Sequence, residues 1–478
     1  MLKSMMKRAR LSPVDTAWLR MEDPTNLMMI TGIFTFDETI EFQRLKNLLE
    51  KRLLRFDRFR QRIIQPYPSI RPAYWEFDPT FNISAHVHKI ALPSPGDQDT
   101  LQELVNDYLS APLDFSKPLW QIHLVENYGN GCALLCRLHH SIADGIALMR
   151  VLLALTDDEA DPPATDKSDQ AWSEGHQKSA SRRNPWSQRR NPRAQFGLYS
   201  KETQKILKKG AQSISDPETS GRALKFGFES AGALAHLVSL SPDPPTKFKG
   251  KLGVQKRCAW TRPIPLSDVK AVSKVCGGTI NDILLSAVAG ALGRYLRRKG
   301  EPIGGLTFRA VVPVNLRPPD EPLRLGNAFG LVFLSLPVGI SDPLERLYEL
   351  KRGMDKIKGT PEAMVAFGIL AAIGAATSTI QDFVLKLFAM KATTVMTNVP
   401  GPKEDRFLAG KPIKDLMFWV PQSGKLGLGV SILSYSGKVY LGVATDAGLV
   451  PDPQAILDEF YNEMDDYVKL ARNSKNTT

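Results

Sequence analysis

A charged segment divides the sequence into two parts of similar size. Residues 157–169 hold six acidic residues and one lysine, and residues 178–209 hold ten lysines or arginines and one acid. Pro, Ser, Asn and Gln fill the intervening positions, which is typical of a linker that buries little apolar surface. The sequence therefore predicts two folded lobes, residues 1–156 and 250–478, joined by a crossover segment over residues 157–249.

Strand-like and helical patterns are mixed in both predicted lobes. The first lobe has strand-like segments at 30–36, 81–92, 119–127 and 131–140, and helical segments at 41–56, 101–113 and 145–155. The second has a helix at 279–298, strands at 306–314, 328–338 and 392–398, a hairpin at 426–446 and a last helix at about 452–471. These patterns predict the α/β (α+β) fold class.

One apolar stretch raises the question of a membrane span. Residues 363–380 carry no charge over 18 positions, a length that barely reaches what a spanning helix needs. Ala, Gly, Ser and Thr supply over half of the stretch, so its hydrophobicity is modest. We expect a buried helix, or a helix that lines a lipid tunnel, instead of a span.

The net charge and the cysteine content limit which binding partners and which cellular compartment are expected. The net charge of +12 favours anionic partners such as nucleic acid, an acidic membrane surface or coenzyme A. Cys132, Cys136, Cys258 and Cys276 form no CxxC pair, so reduced thiols in an intracellular protein are expected. The N-terminal residues lack the apolar core of a secretory signal, which predicts a cytoplasmic location.

The segment HHSIADG, residues 139–145, contains the residues of this sequence that are best suited to catalysis. A histidine near its ordinary pKa of about 6.5 can accept and return a proton at neutral pH. Adjacent residues of a strand face opposite sides, so only His139 or His140 can face a substrate. Asp144 can fix the loop or cap the next helix, and Gly145 can allow backbone angles or a close approach that a Cβ would block.

Alternatives to a catalytic histidine remain open at this point. A metal site needs at least three ligands, and no third His or Cys has suitable local spacing. The pair can equally be incidental, with its polar groups satisfied at a strand end. From the residues alone, a catalytic and an incidental histidine are equally supported.

A family resemblance extends over nearly the whole chain. HHxxxDG is the signature of the coenzyme-A-dependent acyltransferase superfamily. Further segments resemble the bacterial wax ester synthase/diacylglycerol acyltransferase (WS/DGAT) family, in that family's order. They are LSPVDTAWLRMEDPTNLMMI (11–30), DFSKPLW (114–120), TINDILLSAVAGAL (279–292), PVNLRP (313–318), GNAFG (326–330), TNVPGP (397–402) and SYSGKVYLGVATD (434–446).

The resemblance implies two lobes like those of chloramphenicol acetyltransferase, with a substrate tunnel at their interface. It implies that His140 is the general base in the middle of the tunnel, while His139 and Asp144 position the site. Asn281 is implied as the hydrogen-bond donor to the oxyanion, with helix capping as its alternative role. Asp282 is implied to contribute to substrate binding.

The remaining expected site residues lie elsewhere in the family's motifs. Arg317 is expected to pair with Asp144. Three residues are expected to shape the tunnel wall, with a place in the core as the alternative: Pro118, Leu119 and Trp120. Asn398 is expected at a rigid turn, either beside the active site or in a structural loop.

The activity implied by the resemblance is acyl transfer from acyl-CoA to a long-chain fatty alcohol, to diacylglycerol, or to both. Acyl-CoA would be a substrate, so no cofactor and no metal are expected. Two alternatives are an acyltransferase that uses carrier-protein thioesters, as condensation domains do, and a non-catalytic protein of lipid inclusions.

The basic segment has two interpretations. It is either a solvated tether or an anchor to anionic lipid, in which Trp186, Phe196 and Tyr199 enter the interface. Apolar substrates favour peripheral contact with the inner membrane face or with lipid inclusions. Nucleic-acid binding is not expected, since no recognition fold accompanies the basic residues. The sequence does not indicate an oligomeric state.

Overall fold

The computed structural model describes residues 8–66, 73–160, 239–317, 325–358, 362–376, 378–422 and 424–475. The strands are β1 (Ala9–Arg10), β2 (Met29–Phe36), β3 (Gln61–Ile64), β4 (Tyr74–Phe77), β5 (Val87–Ala91), β6 (Trp120–Tyr128), β7 (Gly131–His139), β8 (Lys256–Trp260), β9 (Ile264–Pro265), β10 (Phe308–Asn315), β11 (Phe329–Leu336), β12 (Thr394–Pro400), β13 (Phe407–Leu408), β14 (Lys411–Pro412), β15 (Asp415–Trp419), β16 (Leu428–Tyr435) and β17 (Lys438–Asp446). The helices are α1 (Pro13–Arg20), α2 (Phe42–Arg52), α3 (Gln98–Ser110), α4 (Gly145–Leu155), α5 (Leu266–Cys276), α6 (Ile280–Arg298), α7 (Pro343–Lys358), α8 (Glu362–Ala375), α9 (Ser378–Lys391) and α10 (Pro453–Lys475).

A five-stranded mixed sheet forms the base of the first lobe, in the order β15-β2-β7-β6-β5. β6 and β7 form the antiparallel hairpin that the sequence predicts, and β5 joins the edge of β6 in parallel. Asn127 and Gly129 have positive φ values of 63° and 55° at the turn of this hairpin. β7 lies between β2 and β6, so both of its edges are hydrogen-bonded and the position of its last residue is well defined.

The sheet of the second lobe has the order β11-β10-β12-β16-β17-β8, and β9 also pairs with β17. The predicted hairpin is confirmed as β16 and β17, with positive φ at Ser436 (45°) and Gly437 (72°). Two consecutive positive φ values match the turn type whose twist fits antiparallel strands. Helices α5, α6, α7 and α10 pack together beside this sheet.

The two lobes exchange elements, so they do not coincide with the two parts of the sequence. β15 comes from the second part of the chain but pairs with β2 in the first sheet. Asn106 on α3 accepts a hydrogen bond of 2.7 Å from the backbone of Cys258 on β8. Phe248, which lies within the predicted crossover segment, is buried in the core of the second lobe. The basic residues at 178–209 lie outside the described residues.

The apolar stretch is not one helix, contrary to the sequence-based expectation. α8 ends at Ala375 and α9 begins at Ser378. Thr and Ser side chains compete with the helical backbone for hydrogen bonds, which favours a break in this part of the sequence. Arg20 donates a hydrogen bond of 2.7 Å to the carbonyl of Ala376, beyond the end of α8. Within the described ranges, helices reach the length and apolar character of a membrane span only as two sharply bent pairs, and none does so singly.

Close packing fixes α8 against α1. A Cβ on Gly374 would lie 1.7 Å from the carbonyl oxygen of Pro13, so only glycine permits this approach of the two helices. α1 carries two residues of the candidate site, Asp15 and Trp18. The apolar stretch is therefore positioned directly against an element of that site.

Candidate active site

The end of β7 delivers the two histidines to the interface between the lobes. The backbone N–H of His139 donates to the carbonyl of Leu119 at 2.9 Å, and that of His140 donates to the carbonyl of Met28 at 2.8 Å. The chain then turns through Ser141 and starts α4 at Gly145. Sheet pairing up to His139 and helix capping at Asp144 hold this short turn at both of its ends.

The imidazole of His140 is buried against aromatic rings. It stacks on the indole of Trp18, with ring centroids 4.1 Å apart and planes inclined by 13°. Phe329, from the second lobe, lies 5.7 Å away. This burial lowers the pKa of His140 to about 4, because an apolar environment penalises the imidazolium. The ring is therefore neutral at neutral pH.

Asn327 determines which ring nitrogen of His140 carries the proton. The side-chain nitrogen of Asn327 donates to the His140 carbonyl and to Asp15 Oδ1, at 2.8 Å in each case. This orientation leaves Asn327 Oδ1 facing His140 Nδ1 at 2.9 Å. Since an amide oxygen can only accept, Nδ1 must carry the hydrogen and Nε2 the lone pair.

The carboxylate of Asp15 completes this chain of contacts from α1. It is buried, which raises its pKa, whereas hydrogen bonds from Asn327 and Ser12 act in the opposite direction. Asp15 and Asn327 were not among the site residues predicted from the sequence. Both lie inside segments that resemble the family's motifs, and this position could have marked them as candidates. Their spacing in the sequence does not show that they are in contact, since they are 312 positions apart.

His139 faces different surroundings, as expected for adjacent residues of a strand. Its Nδ1 accepts a hydrogen bond from the backbone N–H of Ser141 at 3.1 Å, which places the ring proton on Nε2. That nitrogen lies 3.5 Å from Glu22 Oε2. The edge of the ring meets Phe115, and the side chain is fully buried. These contacts suit a residue that holds the turn in place.

The predicted contact between Asp144 and Arg317 is present and joins the two lobes. The side chains form a buried ion pair between Arg317 Nη1 and Asp144 Oδ2. Asp144 Oδ1 also accepts from the backbone of Ala147 at 3.0 Å as the cap of α4, and Oδ2 accepts from the backbone of Ala328 at 2.9 Å. Asp144 thus ties the start of α4 to the segment that carries Asn327.

The interpretation of Gly145 as a conformational requirement is wrong. Its φ is not positive, and an added Cβ would meet Val399 Cγ2 at 3.5 Å, an ordinary contact. This proximity of Gly145 and Val399 shows that β12 lies next to the start of α4. Asn398, the residue before Val399, therefore lies near the histidine turn.

Asn281 and Asn398 are in direct contact. The side-chain nitrogen of Asn398 donates to Asn281 Oδ1 at 2.7 Å. Helix capping, the alternative role of Asn281, is performed by Thr279 instead: its hydroxyl accepts from the backbone of Asp282, and Asp282 Oδ2 accepts from the backbone of Thr279 at 2.9 Å. Asp282 is buried in this capping box, while Asn281 keeps an amide N–H group as a donor.

The contacts of Pro118, Leu119 and Trp120 support the alternative place in the core. All three are buried. The indole of Trp120 stacks on His86 at 4.6 Å and donates to the carbonyl of Phe59 at 2.8 Å. The carbonyl of Leu119 accepts from His139, so this segment supports the histidine turn through its backbone.

An apolar cavity begins beside the catalytic candidate. It is narrow and open to solvent at its mouth, and the space that the centre of a water-sized sphere can occupy in it is about 40 Å³. Trp18, which stacks on His140, forms part of its wall. The other lining residues come mainly from α8 and α9: Ala366, Ile369, Leu370 and Ile373 on one face of α8, and Leu385, Phe388 and Ala389 on α9. The apolar stretch thus lines a cavity, and the lipid tunnel expected from its sequence stays a prediction.

The part of the chain that the structure describes also bears on metal binding. No group of three or more His, Cys, Asp or Glu side chains there could hold an ion. Cys132, Cys258 and Cys276 are buried free thiols, and burial raises the pKa of each of them.

The resemblance to HHxxxDG acyltransferases implied a histidine between two mixed lobes, and His140 has this position. Residues 11–284 match the family model of the wax ester synthase/diacylglycerol acyltransferase catalytic domain, and residues 325–467 match that of the WS/DGAT C-terminal domain. The chain belongs to the WS/DGAT family and is an acyltransferase of that type. The resemblance drawn from the motifs is confirmed.

Similar proteins agree with this assignment. A probable diacylglycerol O-acyltransferase of Mycobacterium tuberculosis is 28% identical over 92% of this chain and 92% of its own. A wax ester synthase/diacylglycerol acyltransferase from Marinobacter aquaeolei VT8 has a similar structure, with a TM-score of 0.68 and 20% identity over 97% of this chain and 99% of that one. The first condensation domain of the calcium-dependent antibiotic synthetase is also similar, with a TM-score of 0.60 and 13% identity over 98% of this chain and 97% of that one. These structures confirm the predicted fold class.

Proposed function

We propose that the protein transfers a long-chain acyl group from acyl-CoA to the hydroxyl of a fatty alcohol, of diacylglycerol, or of both. The observation that carries this proposal is the state of His140. Its Nδ1 proton is committed to Asn327, its Nε2 is left as an acceptor, and its ring lies against Trp18 in the cavity wall. The relatives named as diacylglycerol O-acyltransferases support the substrate class.

In the proposed reaction, His140 Nε2 accepts the hydroxyl proton as the alcohol oxygen attacks the thioester carbonyl. The new C–O bond gives a tetrahedral oxyanion. Its collapse breaks the C–S bond, and the proton on Nε2 passes to the departing coenzyme A thiolate. The ester and free coenzyme A are the products, the imidazole returns neutral, and no cofactor is needed.

Asn281 is proposed as the donor to the oxyanion. A donor placed where negative charge develops can lower the barrier by about 3–4 kcal/mol. Asn398 supports this role, since its hydrogen bond to Asn281 Oδ1 leaves the Asn281 N–H group for the substrate. His139, Asp144 and Arg317 are proposed to position the turn.

The apolar cavity is proposed to hold one hydrocarbon chain of the substrates. Its lining side chains are almost all apolar, as is common for pockets that hold apolar ligands. Ala366 is the one small residue among those of α8 that line the cavity, so enlarging it should affect the chain length that the site accepts. Such apolar substrates also favour peripheral contact of a cytoplasmic protein with the membrane or with lipid inclusions.

The test uses purified protein with palmitoyl-CoA and either hexadecanol or dipalmitoylglycerol, with release of the coenzyme A thiol followed over time. We expect release that requires an acceptor and is lost in His140→Ala, and the acceptor ratio would identify the main product. Turnover with a free acyl-CoA would also separate this function from one that needs carrier-protein thioesters. Undiminished turnover in His140→Ala would contradict the mechanism.

A further inference from the structure

Helix α9 exposes an unusual amount of apolar surface. Among the described residues, only six large hydrophobic side chains are exposed, and three of them lie on this helix. Ile380 is 53% exposed, Phe383 69% and Met390 48%. Their spacing places them on one side of the helix, with the half-buried Leu387 between them. These four residues form the α9 outer face.

The opposite side of α9 faces the substrate cavity. Leu385, Phe388 and Ala389 line the cavity whose wall includes Trp18, the residue stacked on His140. Gln381 fixes this side, because its side-chain nitrogen donates to the carbonyl of Ala17 on α1 at 2.9 Å. Among the described residues, α9 thus lies between its exposed outer face and the apolar space beside the candidate base.

Positive charge accompanies the α9 outer face. Lys386 is exposed on the same helix, whose only acid is Asp382. Lys425 is exposed next to Gly424, which lies against Leu385. Lys249 Nζ donates to the carbonyls of Met390 at 3.1 Å and Ala392 at 2.9 Å, at the end of the helix. Apolar side chains flanked by lysines are complementary to a lipid surface that contains anionic headgroups.

We propose that the α9 outer face is the surface by which this protein docks on lipid, with Ile380, Phe383 and Met390 inserted between acyl chains and Lys386 and Lys425 at the headgroups. Docking there places the lipid phase against the helix that lines the cavity. A long-chain alcohol or diacylglycerol would then reach the cavity without crossing water. This inference rests on the proposed function for its substrates, but the docking itself does not depend on catalysis.

The test is flotation of the full-length protein with vesicles of phosphatidylcholine and phosphatidylglycerol, without substrate. Phe383→Glu and Met390→Glu, singly and together, place a charge on the α9 outer face. Val254→Glu is the matched control, since Val254 is 52% exposed elsewhere. We expect vesicle binding to weaken at least about tenfold in the double variant, a loss of about 1.4 kcal/mol, and to be unchanged in the control.

A second measurement separates docking from catalysis. Turnover of a short acyl-CoA with octanol, both in solution, should be unchanged in the double variant, whereas turnover of acceptor embedded in vesicles should fall. Inactivity of every protein in both assays, with flotation behaving as expected, would contradict the proposed function and leave the docking surface standing.

Other occupants of the α9 outer face predict different results. If residues 161–238 of the same chain cover it, Phe383→Glu should lower the melting temperature and leave vesicle binding unchanged. If a second copy covers it, the substitution should change the mass in solution and leave vesicle binding unchanged. Vesicle binding that is equal in the double variant and the wild type overturns the proposal.

Discussion

Asn327 Oδ1 accepts a hydrogen bond of 2.9 Å from His140 Nδ1, although the two residues are 187 positions apart and belong to different lobes. The same amide donates to the His140 carbonyl and to Asp15. One side chain from the second lobe therefore sets the tautomer of the proposed base in the first. The site exists only when the two lobes are docked.

Replacement of Asn327 by alanine should lower kcat more than it changes KM. Without the amide oxygen, the imidazole can hold its proton on either nitrogen and can rotate. We expect a loss of at least about tenfold, smaller than the loss of about 10²–10⁴ that follows removal of a general base. Steady-state kinetics with palmitoyl-CoA would measure it, with Asn462→Ala on α10 as the control. An increase in KM of the same size, with kcat unchanged, would instead indicate a role in binding.

The pH dependence of the reaction should reflect the low pKa of His140. Burial lowers this pKa to about 4, so the base stays unprotonated well below the ordinary value of 6.5. We expect kcat/KM to hold down to about pH 5 and to fall below it, as Nε2 becomes protonated. The profile should be recorded where circular dichroism shows a folded protein. An acidic limb at pH 6.5 or above would contradict this assignment.

The free energy of unfolding should decrease as the pH is lowered, because His123 is buried in its neutral form. Burial lowers its pKa from 6.5 to about 4, so between these values the unfolded state binds more protons. The contribution is present above pH 6.5 and is lost as the pH falls towards 4, by about 2 kcal/mol between pH 7 and pH 5. His123→Gln should show a smaller decrease in unfolding midpoint over this range than the wild type. Identical decreases would exclude His123 as a cause.

Asp144→Asn should lower stability and activity together. It leaves Arg317 buried without its charge partner and places an amide where two groups donate to Oδ2. Removing one member of a buried pair costs about 3–5 kcal/mol. Differential scanning fluorimetry and the thiol-release assay would measure both effects. Lys469→Gln, in the exposed pair with Asp466, should have almost no effect. A stable and fully active Asp144→Asn would argue against the positioning role.

Enlargement of the α8 wall should shift the preferred chain length. Ala366 lines the cavity, so Ala366→Leu should reduce turnover of the longest chains relative to shorter ones. One methylene-sized contact is worth about 1–3 kcal/mol, enough to alter a ratio of rates tenfold or more. A series of acyl-CoAs and alcohols would show the change, and Ala372→Leu at an exposed position of the same helix is the control. Unchanged profiles in both variants would exclude this wall as a determinant.

Local patterns in the sequence were sufficient for most of the secondary structure. The segment 145–155 is a helix with the predicted bounds, and the hairpins at 119–140 and 426–446 pair as expected. These features depend on neighbouring residues: apolar periodicity, turn residues and helix caps. The break between α8 and α9 was missed because the absence of charge concealed the local effect of Thr and Ser.

The sequence by itself determined the fold class, the family and the position of the histidine motif, because these are expressed in contiguous residues. Only the tertiary structure decided which lobe β15 joins and that Trp120 belongs to the core. It also decided that Asn327 and Asp15 fix the tautomer of His140, and that α9 carries an exposed apolar face on the side opposite to the apolar cavity. Such features depend on contacts between residues hundreds of positions apart, and on burial, which lowers the pKa of His140. Neither follows from spacing along the chain.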